Sequence, residues 1–132
     1  MAKISVNIDD KKLEVDVGKT ILEVCRENDI EILTMCHLKG LTDVGACRLC
    51  LVEIEGVNKL LSACTTKITA NMIIRTKTDR IKKYQRITSE LFFAERNHVC
   101  SVCVAKWQMR FTKIRLSNRD GSYPLSVFIS AV

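Results

Sequence analysis

The segment from Cys36 to Cys64 reads CHLKGLTDVGACRLCLVEIEGVNKLLSAC, so that ten residues separate Cys36 from Cys47, two separate Cys47 from Cys50, and thirteen separate Cys50 from Cys64. A Cys-x2-Cys pair alone fits zinc, thiol redox chemistry or an iron-sulfur cluster. Its surroundings narrow the choice. Gly45 and Ala46, just before Cys47, let the backbone wrap closely and turn N–H groups toward sulfur, where they offset the negative charge of gathered thiolates. Cys64 ends a short apolar run and is expected to arrive from the end of a strand, a rigid support.

The rest of the chain is consistent with a metal-bearing domain. At 132 residues it is long enough for one compact domain and too short for two full ones. Hydrophobic residues make up 47% and charged residues 27%, the balance of a folding, globular chain. The N-terminus alternates polar and apolar residues and lacks the continuous apolar run of a signal peptide. Nowhere is there a stretch of about 18 apolar residues for a membrane span. A cytoplasmic chain is expected, and in that compartment an odd set of seven cysteines points to ligation rather than disulfides.

The net charge of +6 does not imply nucleic acid. Through Val104 there are 16 basic and 14 acidic residues, whereas the remainder carries Lys106, Arg110, Lys113, Arg115 and Arg119 against Asp120 alone. The excess lies mainly in the tail. Trp107 and Phe111 among those basic residues imitate a nucleic-acid-binding stretch, but an incidental tail is the preferred reading, with no nucleic-acid partner.

Ile4, Val6 and Ile8 alternate with polar residues, as do Leu13, Val15 and Val17 beyond Asp9-Asp10-Lys11, which predicts a hairpin of half-buried strands. Thr20-Ile21-Leu22-Glu23 is a capping-box pattern opening a helix to about Asn28. Strands are predicted at Leu51 to Ile54, near Lys59 to Ser62, and at Met72 to Ile74. From Thr78 to Arg96, Ile81, Tyr84, Ile87, Leu91 and Phe92 recur at helical spacing, predicting an amphipathic connector helix with Lys82, Lys83, Gln85 and Arg86 on its solvated side. Cys25, on the apolar face of the first helix, is expected to be a buried small hydrophobe. His37 is expected to be a surface histidine.

A wrapped loop with one distant cysteine behind it is ferredoxin-like, and the residues carry a more specific resemblance. Thr34-Met35-Cys36-His37, Gly45-Ala46-Cys47-Arg48-Leu49-Cys50 and Ser62-Ala63-Cys64-Thr65 resemble the [2Fe-2S] motif shared by the large iron-sulfur subunit of complex I, iron-only hydrogenases and the gamma diaphorase subunit of bidirectional NAD-linked nickel-iron hydrogenases. Glu90 to Ala105, with Asn97-His98-Val99-Cys100-Ser101-Val102-Cys103, resembles the last of these most closely. The resemblance covers residues 1 to about 105 and implies an α+β, β-grasp [2Fe-2S] ferredoxin-like domain over 1–77, with Cys36, Cys47, Cys50 and Cys64 as ligands. It further implies a connector helix and the start of a His/Cys [4Fe-4S]-binding motif over 78–105. The implied function is one-electron transfer, not catalysis by the chain alone. The implied partners are a flavin- and NAD-binding diaphorase subunit and hydrogenase or complex-I-like subunits, with no membrane span of its own.

The sequence departs from the family at the second cluster. His98, Cys100 and Cys103 match three of its four ligands, but Met109 stands where the pattern wants cysteine, and a neutral thioether does not supply a thiolate's charge. The [4Fe-4S] site is therefore incomplete as written. Trp107-Gln108-Met109-Arg110 is encoded as TGG-CAR-ATG followed by an arginine codon. Where that codon is CGN, reading one nucleotide later gives glycine and cysteine codons, and the stretch can become Asn-Gly-Lys-Cys-Asp-Leu-Gln, like the family's continuation. Residues 106–132 are accordingly expected to be an aberrant, out-of-frame tail of a truncated subunit. Two other readings compete with the electron carrier. One is a zinc-stabilised interaction module, joining Cys47 and Cys50 to Cys100 and Cys103, and the other is a non-functional truncated subunit.

Overall fold

Alternating apolar residues build β1 (Lys3–Ile8), and β2 (Lys11–Asp16) returns antiparallel to it, from Lys3 opposite Asp16 to Ile8 opposite Lys11. The two turn residues, Asp9 and Asp10, have φ of 46° and 68°, the left-handed pair whose twist matches that of the flanking strands. Thr20 then caps α1 (Ile21–Glu27). Its hydroxyl accepts the Glu23 N–H at 3.3 Å, and the Glu23 carboxylate accepts the Thr20 N–H at 2.7 Å, the reciprocal arrangement expected of a capping box. The structure is a computed structural model and describes residues 3–94 and residue 104.

Three shorter strands complete the sheet: β3 (Leu51–Ile54), β4 (Leu61–Ser62) and β5 (Ile73–Arg75). The strand order is β2-β1-β5-β3-β4, with β1 and β5 parallel and the other neighbours antiparallel. Ile21, Leu22, Val24 and Cys25 of α1 share one buried cluster with Val6, Ile8, Val15, Val52 and Ile74 from the strands. Each such aliphatic side chain, taken fully out of water, contributes about 1.5–3 kcal/mol. This is the α+β, β-grasp arrangement expected from the sequence. Val17 falls just outside β2 and is 57% exposed.

The last described helix, α2 (Asp79–Ala94), starts at the expected place but buries an unexpected face. Ile81, Gln85 and Ser89, four residues apart, are buried, while Tyr84, Ile87 and Leu91 are exposed. Lys82 and Lys83 are exposed as expected, whereas Gln85 is not on the solvated side. The reason lies in what α2 meets: it lies against β3 and the loop before it, where a hydrogen-bond donor is needed rather than another apolar group. Among the described residues no helix is long and apolar enough to cross a membrane.

Candidate metal centre

Residues 28 to 50 connect α1 to β3, and the first three cysteines of the motif lie in this connection. Cys50 immediately precedes β3, and Cys64 follows β4 by two residues. Because β3 and β4 pair antiparallel, with Leu51 opposite Ser62, the two cysteines are brought to the same end of one ladder. The Ala63 N–H donates to the Cys50 carbonyl at 2.8 Å, fixing the junction. Cys50 Sγ and Cys64 Sγ are 3.4 Å apart. That is far beyond a disulfide bond of about 2.05 Å. It is close to the roughly 3.8 Å between two thiolates on one tetrahedral metal with bonds of about 2.3 Å.

The first turn of α1 supports the Cys64 side. Its N–H groups have no partners within the helix. Those of Leu22 and Ile21 donate instead to the carbonyls of Ala63 and Thr66, both at 3.0 Å. Arg48 Nη1 donates to Ser62 Oγ at 3.2 Å and ties the loop between Cys47 and Cys50 to the strand leading to Cys64.

Cys36 and Cys47 form the second pair, at the loop side. Burial pushes the Cys47 thiol up, but N–H groups of Cys36, Leu49 and Met35, together with the Cys36 side chain, outweigh it and hold the thiol below its ordinary value. This is the effect expected of N–H groups in a loop wrapped on sulfur. Gly45, with φ of 63°, makes the wrap possible: a Cβ there would meet Thr65 Cγ2 at 2.9 Å. The Cys64 thiol is pushed up to about 12, chiefly by burial and then by the Cys50 thiol, with Cys36 and Asp43 adding to it.

The thiols thus come in twos, Cys36 with Cys47 and Cys50 with Cys64. Among the described residues no three His, Cys, Asp or Glu side chains gather as a single ion requires. Cys25 lies apart from them in the core, fully buried, its thiol pushed up to about 12 by burial and by Asp9. His37 departs from expectation. Its side chain is only 11% exposed, and Nδ1 pairs with Asp43 Oδ1 across the loop. His98, Cys100, Cys103 and Met109 lie outside the described residues.

Residues 1–79 match the 2Fe-2S iron-sulfur cluster binding domain family. The chain belongs to this family. Among its curated relatives is the G 2 subunit of NADH-quinone oxidoreductase from Rhizobium meliloti, 38% identical over 100 residues, or 76% of this chain and 12% of the relative. The HndD subunit of NADP-reducing hydrogenase from Solidesulfovibrio fructosivorans is 34% identical over 130 residues, 93% of this chain and 22% of the relative. The gamma subunit of NAD-reducing hydrogenase HoxS from Cupriavidus necator is 32% identical over 100 residues, 76% of this chain and 42% of the relative. The chain therefore spans less than half the length of each. A solved structure of an NAD+-reducing [NiFe]-hydrogenase in the H2-reduced state superposes with a TM-score of 0.81 at 23% identity, covering 89% of this chain and 49% of that one. This establishes the shared fold.

Two features of the site are not legible in the local sequence. Arg48 adopts φ of 53° without being glycine, and no nearby residue pattern signals it. Gln85 donates Nε2–H to the Leu49 carbonyl at 2.8 Å, between Cys47 and Cys50. The only signal for it is the four-residue spacing of Ile81, Gln85 and Ser89, which is weaker than the more apolar stripe beside it.

Proposed function

We propose that Cys36, Cys47, Cys50 and Cys64 hold one [2Fe-2S] cluster, Cys36 and Cys47 on one iron and Cys50 and Cys64 on the other. The observation that carries the reading is the Cys50–Cys64 pair, 3.4 Å between sulfurs, with the Cys36 side chain acting on Cys47 beside it: two pairs suit two metal ions better than one. When bound, such a cluster accepts and returns a single electron. The chain's own contribution is to hold the four sulfurs, to direct N–H groups at Cys47 and to keep three of the four cysteines buried.

On this reading the chain is a one-electron carrier in an NAD(P)H-linked hydrogenase or complex-I-like assembly. A diaphorase subunit bearing flavin and NAD(H) exchanges electron pairs, and this chain passes them on singly, in the cytoplasm. The support is the family, the naming of its relatives as subunits of such enzymes, and the thiol geometry. Substrate binding and catalysis belong to the partner subunits.

Iron and acid-labile sulfide per purified chain, with an EPR spectrum after reduction, test the proposal. About two irons, two sulfides and a single [2Fe-2S] signal are expected. Stoichiometric zinc in colourless protein overturns it in favour of a zinc-stabilised module. A cluster-loaded chain that fails to co-purify with diaphorase or hydrogenase subunits is instead a non-functional subunit.

A further inference from the structure

Leu49 is held at both ends of its backbone. Its N–H is directed at Cys47 Sγ, and its carbonyl accepts the Gln85 side-chain amide at 2.8 Å. The Leu49 side chain is fully buried, so the residue has little freedom to swing. The Leu49 carbonyl and the Cys50 N–H belong to one planar peptide and point in opposite directions. Anchoring the carbonyl toward α2 therefore also fixes where the Cys50 N–H points. Gln85 reaches this carbonyl from a residue 36 positions away, on a helix whose other buried residues, among those described, are Ile81 and Ser89. The Ser89 hydroxyl in turn donates to the Gln85 carbonyl at 2.7 Å.

A buried glutamine here needs explanation, because an apolar residue at this position would avoid burying an amide at all. Satisfying one loop carbonyl is the minimum the contact does. The position of that carbonyl, between two cysteines of the cluster loop, adds a second consequence.

We propose that Gln85 is a positioning residue for the [2Fe-2S] centre. Resting on the four-cysteine reading above, it sets the orientation of the Leu49–Cys50 peptide and so the direction of the Cys50 N–H, away from α2 and toward the cluster sulfurs. Hydrogen bonds to the sulfurs stabilise the reduced, more negative cluster and help set its potential. Releasing the Leu49 carbonyl lets the Cys50 N–H turn away from the sulfurs and lowers the potential. Through the same contact, α2 and the cluster loop move together, so the exposed face of Tyr84, Ile87 and Leu91 lies on a helix mechanically linked to the redox site.

The test is redox titration of the full chain by EPR, with iron and sulfide measured on the same samples. Gln85→Met keeps length and bulk but removes the donor. It is expected to retain about two irons per chain and to shift the reduced-to-oxidised ratio at a fixed potential up to tenfold toward oxidised, that is, up to about 59 mV for one electron. Ser89→Ala removes a neighbouring hydrogen bond on the same buried stripe without touching Leu49, and is expected to leave the potential unchanged. Should the Met variant not fold, Gln85→Asn, with the same amide on a stem too short to reach, is read the same way. A wild-type potential in the Gln85 variants overturns the proposal, and so does an equal shift in Ser89→Ala, which would mean general loosening of α2. Absence of a [2Fe-2S] signal in the wild-type chain overturns the four-cysteine reading itself, and this one with it.

Discussion

Cys50 Sγ and Cys64 Sγ stand 3.4 Å apart although the residues are 14 positions apart along the chain. Their placement is a product of the β3–β4 ladder, whose pairing of Leu51 with Ser62 fixes the two flanking positions. Replacing Cys64 with serine leaves this ladder intact but removes a thiolate. Loss of partners that merely orient a metal ligand costs about 10–100-fold in affinity, so loss of the ligand costs at least about tenfold. Iron per purified Cys64→Ser chain is expected to fall accordingly, with circular dichroism unchanged. Full iron retention in this variant would remove Cys64 from the ligand set.

Gly45 carries two demands at once, a φ of 63° and a close approach to Thr65, the neighbour of Cys64. Gly45→Ala is expected to destabilise the chain by about 1–2 kcal/mol from backbone strain alone, and further through the 2.9 Å contact with Thr65 Cγ2. Thr65→Ala added to it should recover the second part and not the first. A double-mutant cycle by urea unfolding separates the two contributions. Strict additivity would show that the contact is relieved by a small shift.

Asp9 fastens the β1–β2 turn to the end of β5. One carboxylate oxygen accepts the Thr76 N–H at 2.8 Å, and the other accepts the Thr76 hydroxyl. Asp9→Asn tolerates the left-handed φ of 46° but weakens the two-oxygen acceptor, and is expected to cost about 1 kcal/mol. Asp9→Ala adds the backbone strain and should cost about 2–3 kcal/mol. Denaturant midpoints at unchanged slope check both values.

Much of this arrangement is legible in the residues. Period-two alternation locates β1 and β2, because a register slip would turn Val6 and Ile8 out of the core. The Thr20–Glu23 capping box locates the start of α1. The cysteine spacing singles out thiols that the fold brings together, as with Cys50 and Cys64. What escapes is decided by long-range packing. The apolar content of α2 favours the Tyr84, Ile87, Leu91 face, yet the loop carbonyl of Leu49 makes a donor at Gln85 the residue to bury. The His37–Asp43 pair likewise exists only once Gly40, between them, has taken its φ of 88° and folded the loop back.

Cys25 gives a pH dependence of definite sign. Burial, with help from Asp9, raises its thiol from 9.0 to about 12 in the folded chain. The folded state therefore holds the proton more tightly than the unfolded one. The corresponding stability is complete below pH 9 and is lost as pH rises toward 12. Between about pH 8 and about pH 11 the wild-type chain is expected to lose about 3 kcal/mol more than Cys25→Ala, measured by urea unfolding of both at each pH. Equal losses would mean that Cys25 reaches water in the folded state.

The reading frame beyond Ala105 is itself a prediction. We propose that one extra nucleotide near codon 106 has shifted Lys106 to Val132 out of frame. Removing it turns Lys106-Trp107-Gln108-Met109 into Asn-Gly-Lys-Cys and supplies the cysteine that His98, Cys100 and Cys103 lack for a [4Fe-4S] site. The match to the Solidesulfovibrio fructosivorans protein covers 93% of the chain and so reaches beyond Lys106, which weighs against the shift and makes the test necessary. Resequencing the gene is expected to find the shorter run, and the corrected chain is expected to carry about six irons instead of about two. A confirmed sequence as written, or a corrected chain that still binds only about two irons, would leave this protein with its [2Fe-2S] site alone.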